Sequence, residues 1–112
     1  MARVEVTPSL EKQINKEFKK EAITIFKQFL NLQENPKKGK ALGTVSGIAI
    51  KELKYKSFRF YFITDAHKVR FYQKEELEEL LIRFVRISHK KHQQETIDEI
   101  RTILLQLGPE GL

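Results

Sequence analysis

The apolar positions of this chain follow a helical period in its first third and at its end, and a period of two between them. Residues 2–6 alternate and predict a short strand. Thr7-Pro8 then reads as a helix start, with Thr7 as N-cap and Pro8 in the first helical position, where its missing N–H leaves nothing unpaired. Leu10, Ile14 and Phe18 share one stripe, while Ala22, Ile23, Phe26, Phe29 and Leu30 form a second of different phase. The phase change near Lys19 to Glu21 predicts a hairpin of two helices rather than one long bent helix. Residues 34–40 combine a Pro, a Gly and three lysines, which predicts an exposed basic loop.

From Val45 the alternation predicts strands at 45–53 and 57–64, and, after a turn at 65–68, a third strand at 69–72. In the second of these, Phe58, Phe60 and Phe62 fall on one face and Arg59, Tyr61 and Ile63 on the other. If the phenylalanines pack on the helices, Arg59 and Tyr61 face outward together. Ile48 and Ile50 share a face, which places Lys51 outward and Glu52 inward unless a bulge near Gly47 changes the phase. Residues 74–80 read as an acidic helical turn or edge insertion, and 81–89 as a central strand, apolar on both faces. A last helix spans 93–107 with Ile97, Ile100, Leu104 and Leu107 on one stripe, stopped by Gly108-Pro109. The order β, α, α, β, β, β, short helix, β, α predicts an α+β domain, its helices on one face of the sheet and the other face at least partly open.

With 112 residues the chain has the length of one domain, 1–112, which excludes a Rossmann-sized cofactor fold. Apolar residues at 40% and charged residues at 32% fit a folded globular chain, and the lack of cysteine removes thiol nucleophiles, disulfides and Cys-based zinc sites. No apolar run approaches a membrane span and the first residues lack a signal-peptide core, so a soluble, cytoplasmic protein without membrane contact is expected.

The net charge of +6 is unevenly placed. Residues 36–73 carry nine basic and two acidic side chains, and residues 82–92 four basic and none acidic. If these segments meet in space, they form a positive surface suited to a polyanion. Ser88-His89-Lys90-Lys91-His92-Gln93-Gln94 places two imidazoles and two ammonium groups at the junction of the last strand and last helix. His89 and His92 lack a third metal ligand nearby apart from Glu95, so no metal site is expected, and anion chemistry suits the segment better. Arg59, between aromatic residues, can hold a phosphate in bidentate fashion while a base stacks nearby. Tyr55, Phe71 and Tyr72 read as packing residues.

Several short motifs occur in a fixed order. Asn35-Pro36 precedes Gly39-Lys40-Ala41-Leu42. Ile50-Lys51-Glu52-Leu53-Lys54 precedes Phe58-Arg59-Phe60-Tyr61-Phe62, and Phe84-Val85 leads to His89-Lys90-Lys91-His92-Gln93-Gln94. In this order the chain resembles the RelE/ParE toxin superfamily, in particular its RelE- and HigB-like ribonuclease branch, and with the two N-terminal helices the resemblance covers the whole chain. It departs from that pattern in the 74–80 insertion, in the absence of Pro before the last helix and of a tyrosine near the carboxyl end.

The resemblance implies a RelE-like fold: an N-terminal helical hairpin and a C-terminal helix packed on a mainly antiparallel sheet of four to five strands. It implies the toxin of a type II toxin–antitoxin pair, a metal-free and cofactor-free endoribonuclease that cuts mRNA, typically in the ribosomal decoding site, and is silenced by a small antitoxin wrapped over its surface. Carried over by position, Arg59 stabilises the phosphate, Glu52 or Lys51 is the base or its electrostatic partner, and His89 is the acid. Lys90 and Lys91 hold RNA phosphates, with Lys38, Lys40, Tyr61 and Arg86 as further RNA contacts. The alternative within the same fold is a protein that does not cut RNA, either a ParE-like gyrase inhibitor or an RNA binder.

Overall fold

The computed structural model describes residues 1–112. Strand β1 (Arg3–Val6) is followed by helix α1 (Pro8–Phe18), a single 3-10 turn (Lys19–Glu21) and helix α2 (Ala22–Leu30). Strands β2 (Lys40–Val45), β3 (Ile48–Tyr55) and β4 (Phe58–Asp65) form a meander, after which come the short helix α3 (Ala66–Phe71), strand β5 (Leu81–His89) and helix α4 (Gln93–Leu107). The strands make one mixed sheet in the order β1-β5-β4-β3-β2, with β1 parallel to β5 and every other pair antiparallel.

The α+β class and the succession of elements match the sequence reading, but two segments exchange roles. Residues 69–72, expected as a strand, lie in and just after α3. Asp65 caps this helix by accepting from the Lys68 backbone N–H at 2.9 Å, a local bond that outweighs the alternation of Val69 and Phe71. The missing strand is instead β2, which begins at Lys40 in the expected basic loop and ends at Val45, so the expected strand 45–53 is divided by a turn and β3 begins only at Ile48. Its turn into β3 is the two-residue Ser46-Gly47, both in the left-handed region (φ 49° and 80°), as a tight hairpin requires.

The helical break also falls where expected, at Lys19, which adopts φ 49° and ends α1. Thr7 does precede α1, yet its hydroxyl makes no cap and is buried without a partner. Within α2 the buried residues are Ala22, Ile25 and Phe29, whereas Ile23 and Leu30 are exposed, so the true stripe is rotated from the expected one. In α4, Ile97, Ile100 and Leu104 are buried but Leu107 is exposed.

Both faces of the sheet are covered, contrary to the expected open face. On one side α1 and α2 bury Leu10, Ile14, Ile25 and Phe29 against Phe60, Phe62, Ile82 and Phe84. The Phe29 and Phe84 rings stack at 3.7 Å between centroids, and Phe60 meets Phe29 edge-on at 5.1 Å. Each such ring removed from water contributes roughly 2–3 kcal/mol. The 74–80 insertion is anchored to this core by Leu77 and Leu80. On the other side α4 lays Ile97, Ile100 and Leu104 on Ile50, Tyr61, Ile63 and Val85. No helix is long and apolar enough to cross a membrane.

Candidate nucleic-acid interface

The register of β3 is unbroken against β4, so parity decides which side chains can meet; one irregularity lies in β2, between Ala41 and Gly43, a second in β5 at Val85, opposite Tyr61 and Phe62, and neither at Gly47. Glu52 shares the α4 face with Ile48 and Ile50. Lys51 points to the opposite face, where it is only 6% exposed instead of outward, because α1, α2 and α3 lie on that side. Across the ladder Glu52 pairs with Tyr61, Lys54 with Arg59, and Arg59 with Ser88. These residues therefore gather on the α4 face, toward the end of the sheet where α4 begins.

Tyr61 does not project beside Arg59 as a stacking platform. It is fully buried under α4, and its hydroxyl and the Ser88 hydroxyl are hydrogen-bonded at 2.7 Å. Burial pushes its pKa up, the Ser88 hydrogen bond opposes this, and the charges of Glu52 and Arg59 act on it in opposite directions. Arg59 folds toward the β3–β4 turn and donates from Nη1 to the carbonyls of Phe58 (2.9 Å) and Lys56 (3.4 Å). Its other donors have no protein acceptor. Glu52 is 6% exposed and accepts a 2.6 Å hydrogen bond from the Gln93 amide at the first turn of α4.

A groove of about 900 Å3 opens beside this cluster, between β2 and the start of α4. Its charged and amide lining comprises Lys40, Lys90, Lys91, Gln93, Gln94 and Arg101, with Asp98 as the one acid. Lys40 is the cross-strand neighbour of Glu52, so the groove and the Glu52–Gln93 pair adjoin. Lys90 and Lys91 sit in a 3-10 turn pinned to the β3–β4 hairpin by the Lys90 N–H to Ser57 carbonyl bond of 2.8 Å. Arg101 reaches from α4 to the Leu42 carbonyl at 3.4 Å across Gly43, where a Cβ would lie 2.1 Å from Nη2. The missing side chain of Gly43 thus admits the guanidinium.

The residues singled out from sequence divide accordingly. Lys40, Lys90 and Lys91 meet in the groove, and Glu52 and Arg59 lie on the adjoining face. His89 does not join them: it pairs with Phe58 on the other face, its ring edge-on to that of Phe58 at 5.6 Å, and Nδ1 accepts the Lys91 N–H at 3.4 Å. Lys51 is likewise on that face. Lys38 lines a separate depression with Glu34, Lys37 and Lys74. Arg86 is held by Glu99 at 2.9 Å and is occupied within the fold.

Sequence reading missed Arg101, Gln93 and Lys54. Arg101 is a lone cation on a predicted amphipathic helix, and only the Gly43 gap opposite it gives a signal. No three His, Asp or Glu side chains are grouped so as to hold a metal ion. Comparison of the chain with protein-family models, curated proteins and solved structures finds no match in any of the three.

Proposed function

We propose that this chain is an RNA-directed toxin of the RelE/ParE kind, whose α4–β2 groove holds the backbone of mRNA and whose adjoining cluster cuts it. The observation that carries this reading is the groove itself: four cations against one acid, set beside a carboxylate and a guanidinium on the same sheet face. Cations so placed neutralise successive phosphates and release counterions. An acidic antitoxin laid over the same groove would silence it by competing for those charges.

The reaction is a metal-free transesterification. The ribose 2′-OH attacks the adjacent phosphate, its proton passes to Glu52, and the bond to the 5′-oxygen breaks. This leaves a 2′,3′-cyclic phosphate and, once the oxygen is protonated, a 5′-OH. Arg59 stabilises the charge that develops on the phosphate oxygens. For Glu52 to act, RNA must displace the Gln93 amide from it. His89 lies on the other face, and Lys54, the cross-strand neighbour of Arg59, is our candidate to protonate the leaving oxygen.

A second reading is favoured by one observation, the capping of a buried Glu52 by Gln93. In that case the groove binds RNA, or a protein target such as gyrase, without cutting. Induced expression of wild type and Arg59→Ala followed by mapping of message 5′ ends separates the two. New ends within coding regions, present with wild type and absent with the variant, support cleavage. Growth arrest without new ends supports the second reading.

A further inference from the structure

On the face of the sheet opposite the α4 groove, a cavity of about 690 Å3 lies between β2, β3 and α3. Its floor is built of small residues, among them Ala41, Gly43, Gly47 and Ala49, and its charged lining is entirely basic: Lys37, Lys51 and Arg70, with His67 beside them. Lys51 is the unusual member. It is 6% exposed, and its ammonium donates one hydrogen bond, to the Lys37 carbonyl at 3.0 Å. A lysine ammonium carries three donors, and no carboxylate lies within ion-pair distance of this one. The Phe62 ring centroid at 5.8 Å is its other neighbour. Burial, then the nearby Lys37 charge, lower its pKa.

An ammonium buried without a counter-ion is unfavourable unless an anion completes it. The mouth of the cavity adds an aromatic surface. Phe71 is 61% exposed, not packed as its sequence pattern suggested, and is flanked by His67 at 4.9 Å between ring centroids and by the Arg70 guanidinium at 5.2 Å. The volume is well above what a bare phosphate needs and within the range of roughly 300–1,000 Å3 typical of small-ligand sites.

We propose that this cavity binds a nucleoside phosphate, with Lys51, Lys37 and Arg70 holding the phosphate and Phe71 stacking on the base. The phosphate supplies the acceptors that the Lys51 ammonium lacks, and a flat heteroaromatic base covers the exposed ring. Such a ligand has two sources, a free mononucleotide or one nucleotide of an RNA strand. The second is geometrically open because Ala41 of the edge strand β2 lines both this cavity and the α4 groove. The cavity does not depend on the cleavage reading, since none of its residues belongs to the Glu52–Arg59 cluster.

The test is amide shift mapping on the 15N-labelled full chain, titrated separately with AMP, adenosine, inorganic phosphate and a 12-nucleotide RNA. Expected are saturable shifts at Ala49, His67 and Phe71 with AMP, with adenosine and phosphate each binding at least about tenfold more weakly. Lys51→Met and Arg70→Ala should each weaken AMP by about tenfold, whereas Phe71→Ala should weaken AMP and leave inorganic phosphate unchanged. Arg70 and Phe71 are exposed, so those two variants serve even if Lys51→Met does not fold. AMP binding as tight as RNA binding identifies the free nucleotide as ligand. RNA shifts that require intact Lys90 and Lys91 identify the strand. AMP shifts that persist in Lys90→Ala/Lys91→Ala separate this site from the groove. The proposal is overturned if neither AMP nor RNA moves these amides at about 10 mM and 1 mM, or if Lys51→Met and Arg70→Ala respond as wild type does.

Discussion

The Gln93 amide donates a 2.6 Å hydrogen bond to the Glu52 carboxylate, tying the first turn of α4 to the centre of β3. It is the only hydrogen bond that the Glu52 carboxylate makes, and Gln93 lines the basic groove. Gln93→Ala leaves a buried acceptor unpaired and is expected to destabilise the fold by about 1–3 kcal/mol in urea unfolding. In the cleavage reading the same variant opens Glu52 to RNA, so activity per folded molecule should hold or rise while stability falls. A parallel fall of both would make Gln93 part of the binding surface only.

Gly39 is fixed by two demands at once. Its φ is 105°, and a Cβ there would lie 2.8 Å from Cζ of Phe62 in the core. Gly39→Ala is expected to destabilise by about 1–3 kcal/mol. That corresponds to a fall in Tm of roughly 4–8 °C per kcal/mol, readable by thermal denaturation. An unchanged Tm would show that the loop leading into β2 is free to move away.

These two glycine and amide positions show what was legible in the sequence and what was not. The β4 alternation of Phe58, Phe60 and Phe62 against Arg59, Tyr61 and Ile63 is reproduced residue for residue, because the period-two rule needs only the strand itself. What covers each face depends on chain segments distant in sequence. The apolar stripe of α4 could seat on either face, and its choice buries Tyr61 and leaves Arg59 at the rim. Likewise His89 and Lys51 looked available for one site with Glu52 and Arg59. A single residue of parity, Lys51 against Glu52 and His89 against Ser88, sends each to the other side. Strand β2 is hidden because its apolar residues, Ala41, Leu42 and Val45, do not alternate, and its register breaks at Leu42, so a period of two does not register there.

Lys51 should make stability depend on pH in an unusual direction. Its pKa is lower in the folded chain than in the unfolded one, so its charged form disfavours folding. The penalty is complete below the folded value and is relieved as pH rises from there toward the unfolded value of about 10.4. In buffer free of phosphate and nucleotides, Lys51→Met should therefore raise the Tm at neutral pH and flatten the rise of stability on the alkaline side. A lower Tm for this variant would mean that the ammonium stabilises the fold.

Glu21 acts in the opposite sense. Its carboxylate accepts hydrogen bonds from Lys56 and, at 2.9 Å, from the Tyr55 hydroxyl, and the Lys56 bond is the main reason its pKa is lowered. A depressed carboxyl stabilises above its unfolded value of about 4.3 and loses that contribution as pH falls through the folded value. Glu21→Gln should therefore destabilise at neutral pH and lose less stability than wild type between neutral and acid pH. Parallel pH profiles for the two chains would show that the pair at the 3-10 turn is inert.

The most direct measurement is the salt dependence of RNA affinity. A fluorescent single-stranded RNA is titrated with wild type and with Lys90→Ala/Lys91→Ala at several salt concentrations, after both chains are shown to fold. Each phosphate contact on a single strand contributes about 0.7 to the slope of log affinity against log salt. If the groove holds the RNA backbone, the double variant should bind more weakly and its slope should be shallower by about 1.4. Equal affinities and equal slopes for the two chains would place the RNA elsewhere and contradict the α4–β2 groove as its site.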